Sequence, residues 1–221
     1  MIFIFVSSNL KIMQKENIKN ILFDLGVVII NIDTDLTVKA MKSLGFNNFQ
    51  ESYTLFRQTD LFNKLEKGLI SDQDFRNELR KHIDKEVKDE DFDKAWSAML
   101  LDFPKERIEL IKNLSRKYNV YLLSNTNAIH YNQYTEDFKN EYGFEFNSLF
   151  IKAYYSFQLG MRKPDVDIFE FAISDSSLNA EETIFIDDLK ANIETAQKTG
   201  LQTLWLDKSK GDDLVNILNG F

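Results

Sequence analysis

Four places in the chain carry side chains that could share one reaction. Asp24 follows the apolar run Ile18 to Phe23, Ser124 and Asn125 follow Val120 to Leu123, and the adjacent acids Asp187 and Asp188 follow Thr183 to Ile186. Lys163 lies within Gly160-Met161-Arg162-Lys163-Pro164. Three carboxylates gathered in a small space repel one another, and their pKa values rise unless a cation joins them. Mg²⁺ fits such a set, since it takes oxygen ligands in octahedral geometry and is held by one or two carboxylates together with phosphate oxygens and water. Lys163 would add a second positive charge for a phosphoryl group.

For these residues to meet, the runs that precede them must be neighbouring strands. Short apolar runs stopped by an acid, a serine or a glycine read as buried parallel strands, and ligands of open α/β sheets bind where such strands end. Strands are expected at Ile18 to Phe23, Val120 to Leu123, Ser148 to Ala153, Thr183 to Ile186 and Gln202 to Leu206. Helical patterns separate the last four, at Asn127 to Asn140, Asp165 to Ala172 and Ala191 to Thr199, the last with Gly200 as its C-cap. The stretch from Asp33 to Phe103 has a different texture. Apolar residues recur there at helical spacing (Phe56, Leu61, Phe62, Leu65, then Phe75, Leu79, Ile83), Ser71 with Asp74 forms a capping signature, and Pro104 opens a helix from Lys105 to Arg116 that returns to the sheet. The expected architecture is α/β: a Rossmann-like parallel sheet core from 13–32 and 104–221, with an all-helical cap inserted at 33–103. Residues 1–12 read as a dispensable tail, with Met13 a candidate initiator.

The stretches Phe23-Asp24-Leu25-Gly26-Val27-Val28, Leu123-Ser124-Asn125-Thr126-Asn127, Leu159-Gly160-Met161-Arg162-Lys163-Pro164-Asp165 and Phe185-Ile186-Asp187-Asp188, running on to Asn192, resemble the four motifs of the haloacid dehalogenase (HAD) superfamily, in that family's order. The resemblance covers the whole core, and the insert looks like the family's small helical cap. Within the superfamily the chain looks most like the bacterial sugar-phosphate phosphatase branch that includes glucose-1-phosphate phosphatase, whose first motif also has an acid followed by Leu-Gly. The resemblance implies a hydrolase: a Mg²⁺-dependent phosphomonoesterase acting on a small phosphorylated metabolite, in which Asp24 attacks phosphorus and water then hydrolyses the aspartyl-phosphate. It implies that Ser124 and the Asn125 amide hold a phosphoryl oxygen beside the Leu25 and Gly26 backbone. Lys163 would orient Asp24 and offset developing negative charge. Asp24, Asp188 and the Gly26 carbonyl would ligate Mg²⁺, with Asp187 as their neighbour.

The departure from the pattern is Gly26, where most phosphatases of the superfamily carry a second aspartate that protonates the leaving group. Acid–base help of this kind is worth about 10²–10⁴ in rate. Dehalogenases lack that aspartate too, but they also lack the acidic pair, so Asp187 and Asp188 favour phosphate. Without the acid, esters of better leaving groups should react faster, which favours a sugar 1-phosphate over a sugar 6-phosphate. His130, Asp33 and Asp35 could stand in for it. Each also has a plainer reading, His130 as a structural residue and the two aspartates as caps or surface groups. His82 reads as a solvated residue on a cap helix, and Phe56, Phe62 and Phe75 as the core of the cap.

Taken singly, Asp24 reads as a helix cap, Ser124 as a turn residue, Lys163 as a surface charge, and Asp187 with Asp188 as a complement to the dipole of the following helix. Their order along the chain outweighs these readings. Phospho-accepting receiver domains use similar residues, but in a different order and without a helical insert. A dinucleotide-binding module would need Gly-x-Gly-x-x-Gly after the first strand. Other readings compatible with the motifs are a phosphotransferase or mutase, a dehalogenase-type hydrolase, and a non-catalytic phosphate binder. With 27 basic against 35 acidic residues, a net charge of −8 and no basic run, the chain is not expected to bind nucleic acid. The absence of cysteine excludes a disulfide scaffold, a thiolate zinc site and a cysteine nucleophile. Ile2 to Val6 is too short for a secretory or membrane-spanning segment, so a cytoplasmic protein is expected. Nothing in the sequence speaks to oligomeric state.

Overall fold

The computed structural model describes residues 17–46, 49, 60–83, 85–218 and 221. Its sheet contains β1 (Asn20–Phe23), β2 (Asn119–Ser124), β3 (Lys152–Tyr155), β4 (Thr183–Asp187) and β5 (Gln202–Trp205), all parallel, in the order β3-β2-β1-β4-β5. Between β1 and β2 lie α1 (Thr34–Ser43), α2 (Leu61–Glu66), α3 (Asp72–Arg80), α4 (Asp89–Trp96) and α5 (Lys105–Leu114). After β2 come α6 (Ala128–Tyr142), α7 (Ser156–Leu159), α8 (Val166–Asp175), α9 (Lys190–Lys198) and α10 (Leu214–Ile217).

Both faces of the sheet are covered, which explains why its strands read as unbroken apolar runs. Ile21, Phe23, Val120, Leu122, Ile184 and Ile186 pack with residues of α5, α6 and α10. Leu22, Tyr121, Leu123 and Phe185, one position out of phase, pack with α8 and α9. The strand expected at Ser148 to Ala153 lies further along, at Lys152–Tyr155. Ser148 is held in a 3₁₀ turn, Phe146–Leu149, because its amide and hydroxyl both donate to the Glu145 carbonyl, at 3.0 and 2.6 Å. Pairing with β2 begins only at Lys152, opposite Tyr121.

The helices of the insert form their own apolar cluster, including Met41, Leu65, Phe75, Leu79, Phe92 and Trp96. Phe75 meets Trp96 edge-on at 4.9 Å and Phe62 stacks on it at 5.5 Å, so both phenylalanines serve as core. Phe56 and the tail 1–12 lie outside the described residues. Ser71 caps α3 by accepting from the Asp74 amide at 3.0 Å, and its hydroxyl donates back to Asp74 at 2.7 Å. His82 follows α3, is exposed, and stacks on Phe46 at 5.5 Å. The two connections to the core run side by side: the Asn31 amide donates to Asp102, Leu101 donates back to Asn31, and Asp33 donates to Met99, at 2.9–3.0 Å. No described helix is long and apolar enough to cross a membrane.

His130 of α6 is buried against the insert rather than exposed at a rim. Its ring stacks on Trp96 at 5.3 Å, and Nε2 donates to the Trp96 carbonyl at 3.2 Å; a carbonyl can only accept, so Nε2 carries the proton. Burial pushes its pKa down to about 4. In the unfolded chain a histidine protonates near pH 6.5, whereas here it stays neutral to about 4, so its contribution is present above pH 6.5 and is lost as pH falls toward 4. Urea titrations at pH 7.5 and 4.5 should show the native protein losing up to about 3 kcal/mol more stability than His130→Gln loses. Equal losses in the two proteins would mean that His130 titrates normally.

Candidate active site

Asp24 leaves the central strand β1, its amide still bonded to the Ile186 carbonyl of β4 at 2.9 Å, so it emerges beside the ends of both neighbouring strands. Lys163 Nζ donates to Asp24 Oδ1 at 2.6 Å and to Asp187 Oδ2 at 2.7 Å, with all three residues buried. The oxygens of Asp187 are further occupied by the Leu189 amide at 2.7 Å and by Asn192 Nδ2 at 3.0 Å from each. Asp188 is half-buried, and ligand atoms of Asp24, Asp187 and Asp188 lie within 4.8 Å of one another.

Three carboxylates face one ammonium. The Asp24 pKa is raised to about 7, chiefly by burial; Lys163 pulls it down, and Asp187 and Asp188 push it up. Asp188 rises to about 6, through burial and then repulsion from Asp187. For Lys163, burial alone would lower the pKa, but the charges of Asp187 and Asp24 outweigh it and the net shift is upward. The group is an all-oxygen donor set with surplus negative charge. That chemistry fits Mg²⁺, and Asp24 and Asp188 are the carboxylates with room to hold it because Asp187 is already engaged.

The position of Lys163 is set from β2. Asn125 Nδ2 donates to the Lys163 carbonyl at 2.8 Å, and the Lys163 amide donates to Asn125 Oδ1 at 2.9 Å, so one side chain clamps the lysine backbone from both directions. Ser156, at the start of α7, stitches the same region: its hydroxyl donates to the Thr126 carbonyl and accepts from the Thr126 amide, both at 3.0 Å. Ser124 is buried at the end of β2, its hydroxyl 3.4 Å from the Asn125 carbonyl. After Asp24 the chain turns tightly, with the Ile29 and Ile30 amides both donating to Leu25 at 2.8 and 3.0 Å. A Cβ at Gly26 would lie 3.1 Å from Ile32 Cδ1, so an aspartate there would need Ile32 to give way by a few tenths of an ångström.

From the sequence, Asn125 is expected to act through its backbone amide, and Asn192 only closes a motif. The structure gives both side chains work in orienting the charged pair. A primary carboxamide carries both donor and acceptor, the one general signal in the sequence. The stand-ins for the missing acid are engaged elsewhere: His130 on Trp96, Asp33 as the cap of α1 with its Oδ1 3.0 Å from the Asp35 amide, and Asp35 exposed in that helix's first turn.

The sequence model of the haloacid dehalogenase-like hydrolases matches residues 21–206, and the chain belongs to that family. It is 36% identical over 187 residues to the D-ribitol-5-phosphate phosphatase of Bacteroides thetaiotaomicron, covering 84% of this chain and 90% of the relative. A HAD family enzyme from the same organism, solved in complex with magnesium and inorganic phosphate, superposes with a TM-score of 0.84 at 37% identity, covering 91% of this chain and 99% of the other. The structure of a predicted HAD-like family hydrolase from Porphyromonas gingivalis gives a TM-score of 0.78 at 35% identity, with 85% and 90% covered. The Rossmann-like fold and the family expected from the motifs are both borne out.

The two adjacent acids should respond oppositely to neutralisation. Asp188→Asn removes a free ligand and relieves repulsion, so Mg²⁺ affinity should fall by about tenfold or more while the metal-free protein melts no lower. Asp187→Asn takes a partner from Lys163, so it should lower Tm and affect Mg²⁺ affinity less. Calorimetric Mg²⁺ titrations and melting curves of both variants check this; the reverse order would make Asp187 the direct ligand.

Proposed function

We propose that this protein is a Mg²⁺-dependent phosphomonoesterase that hydrolyses a small phosphorylated sugar or polyol through an aspartyl-phosphate at Asp24. The observation that carries this reading is the buried Asp24 carboxylate held at a strand end by the buried Lys163 ammonium, beside two further acids. Mg²⁺ would supply the charge that keeps Asp24 and Asp188 ionised near neutral pH and would screen the incoming phosphate.

Lys163 fixes one oxygen of Asp24 and presents its charge to the phosphoryl group. An Asp24 oxygen attacks phosphorus, the ester P–O bond breaks, and the departing oxygen takes its proton from solvent, since residue 26 has no side chain to offer one. Ser124 and the Asn125 amide hold a phosphoryl oxygen, with the Leu25 and Gly26 backbone alongside, as electrostatic stabilisation of the transferring group requires. Water then attacks phosphorus, the acyl-phosphate bond breaks, and phosphate and the Asp24 carboxylate are regenerated. The helical insert at 33–103 acts as a cap over the core formed by 13–32 and 104–221, pivoting on the paired connections around Asn31 and Asp102.

Two considerations bear on the substrate. The D-ribitol-5-phosphate phosphatase relative is named for the ester of a primary alcohol, whereas the missing acid at Gly26 favours the better leaving group of a sugar 1-phosphate. Both are small polyhydroxylated monophosphates, and the proposal is for that class. The acidic net charge supports a metabolite rather than nucleic acid as partner, and the reading is of a cytoplasmic enzyme.

Phosphate release from D-ribitol 5-phosphate, glucose 1-phosphate and glucose 6-phosphate should require Mg²⁺ and disappear with EDTA. In Asp24→Asn it should fall by at least about 10³-fold with the fold intact by circular dichroism. Substantial turnover by Asp24→Asn would exclude the covalent route. Between the glucose esters, kcat/KM should be higher for the 1-phosphate; equal values would show that another group of the protein, and not solvent, protonates the leaving oxygen.

A further inference from the structure

Arg107, on α5, is buried and plays no part in the chemistry above. Its Nη1 donates to the Val27 carbonyl at 3.2 Å and to Asn31 Oδ1 at 3.1 Å, and its Nη2 donates to Asp213 Oδ2 at 2.9 Å. Nε has no hydrogen-bond partner. A guanidinium taken out of water with one donor unsatisfied is a poor choice for filling space, where an apolar side chain of similar volume would pack as well or better. Its three contacts explain why it is there.

Val27 has φ +64°, in the left-handed region that β-branched residues rarely adopt. It follows Gly26, whose carbonyl accepts from the Val28 amide at 2.6 Å across this turn. Among the described residues no backbone amide donates to the Val27 carbonyl; its donor is Arg107. Asn31 is the first hinge, paired with Asp102 of the second through its amide and through Nδ2, each at 3.0 Å. Asp213 caps α10 by accepting from the Val215 amide at 2.9 Å. One guanidinium therefore joins the loop after Asp24, the paired hinges of the insert, and the last described helix.

We propose that Arg107 is a positioning residue for the reaction: by holding the Val27 carbonyl and the Asn31 side chain together it keeps the turn after Asp24 in its strained left-handed form. Without that hold, only backbone bonds, among them that of the Val27 amide to the Ile30 carbonyl at 2.8 Å, would resist relaxation of Val27 toward negative φ, which would rotate the peptide that carries the Gly26 carbonyl, the carbonyl assigned to Mg²⁺. This rests on the phosphatase reading for what the turn serves, but not for the turn itself.

The test is Arg107→Lys, which keeps the charge but cannot fork to two acceptors and Asp213 together. We expect kcat to fall about tenfold with KM within about twofold, and Mg²⁺ affinity, measured by calorimetry without substrate, to weaken about tenfold, equivalent to about 1.4 kcal/mol. Adding Val27→Gly should restore most of both losses, because glycine adopts φ near +64° without strain. A merely structural arginine would lower Tm without this rescue. Should Arg107→Lys fail to fold, Asp213→Asn retains a capping oxygen and weakens the grip on Nη2; it should show a smaller loss, about threefold, with the same rescue by glycine. Unchanged kcat and Mg²⁺ affinity in the folded variant, or losses that Val27→Gly leaves in place, would overturn the proposal. A native protein that binds Mg²⁺ but releases no phosphate would instead overturn the phosphatase reading alone, since the calorimetric arm is independent of substrate.

Discussion

A single buried ammonium, Lys163, lies between Asp24 and Asp187, and every other feature of the site is arranged around it. Neither a lone buried lysine nor lone buried carboxylates would stay charged. Together they can, and removing one partner of such a group ordinarily costs about 3–5 kcal/mol, because a charge is left stranded in the interior. With three acids and one base the cluster is incomplete by two positive charges, so the pair that is satisfied defines the place where a dication and then a phosphoryl group can be received. The same interaction divides the labour among the acids. Asp187 spends its oxygens on Lys163, Leu189 and Asn192, which leaves Asp24 and Asp188 to face outward chemistry.

The topology serves this contact. Placing β1 between β2 and β4 sets Asp24 beside the end of β2 on one side and Asp187 on the other. Lys163 arrives from beyond the edge strand β3 and would be free to wander on its loop, but the Asn125 carboxamide fixes its backbone before its side chain reaches across. The insert is tethered close to Asp24 by its paired connections and touches the core again through His130 and Trp96. Further contacts flank the lysine itself: Arg162 pairs with Glu66 and Lys67 with Asp165, both at 2.8 Å. These pairs tie α2 and the residue after it to residues on either side of Lys163.

How much of this could be read from the sequence depends on where the information resides. Asp24, Ser124, Asp187 and Asp188 stand out in the sequence because each lies at or just past a strand end, and Lys163 because it lies in the loop after β3; the structure brings Asp24, Lys163 and Asp187 into contact. The capping pair Ser71 and Asp74 is legible because it is local. Asn125 and Asn192 are not, since an amide's function is set by its partner, and for Asn125 that partner is 38 residues away. His130 falls where its spacing in α6 puts it, but which way the ring points is settled by Trp96 in another part of the chain. The third strand starts later than the expected Ser148 because Phe146 and Phe150 pack in an aromatic cluster around the 3₁₀ turn Phe146–Leu149. Arg107 looks like any basic residue on an amphipathic helix; only its buried contacts distinguish it.

The central claim, that Lys163 occupies Asp187 and so leaves the metal to Asp24 and Asp188, is tested most directly by a crystal structure of this protein with Mg²⁺ and inorganic phosphate. The account predicts carboxylate oxygens of Asp24 and Asp188 about 2.0–2.1 Å from the ion, with Asp187 still bonded to Lys163 and Asn192. An Asp187 oxygen in the coordination shell, or Lys163 withdrawn from Asp24, would contradict it.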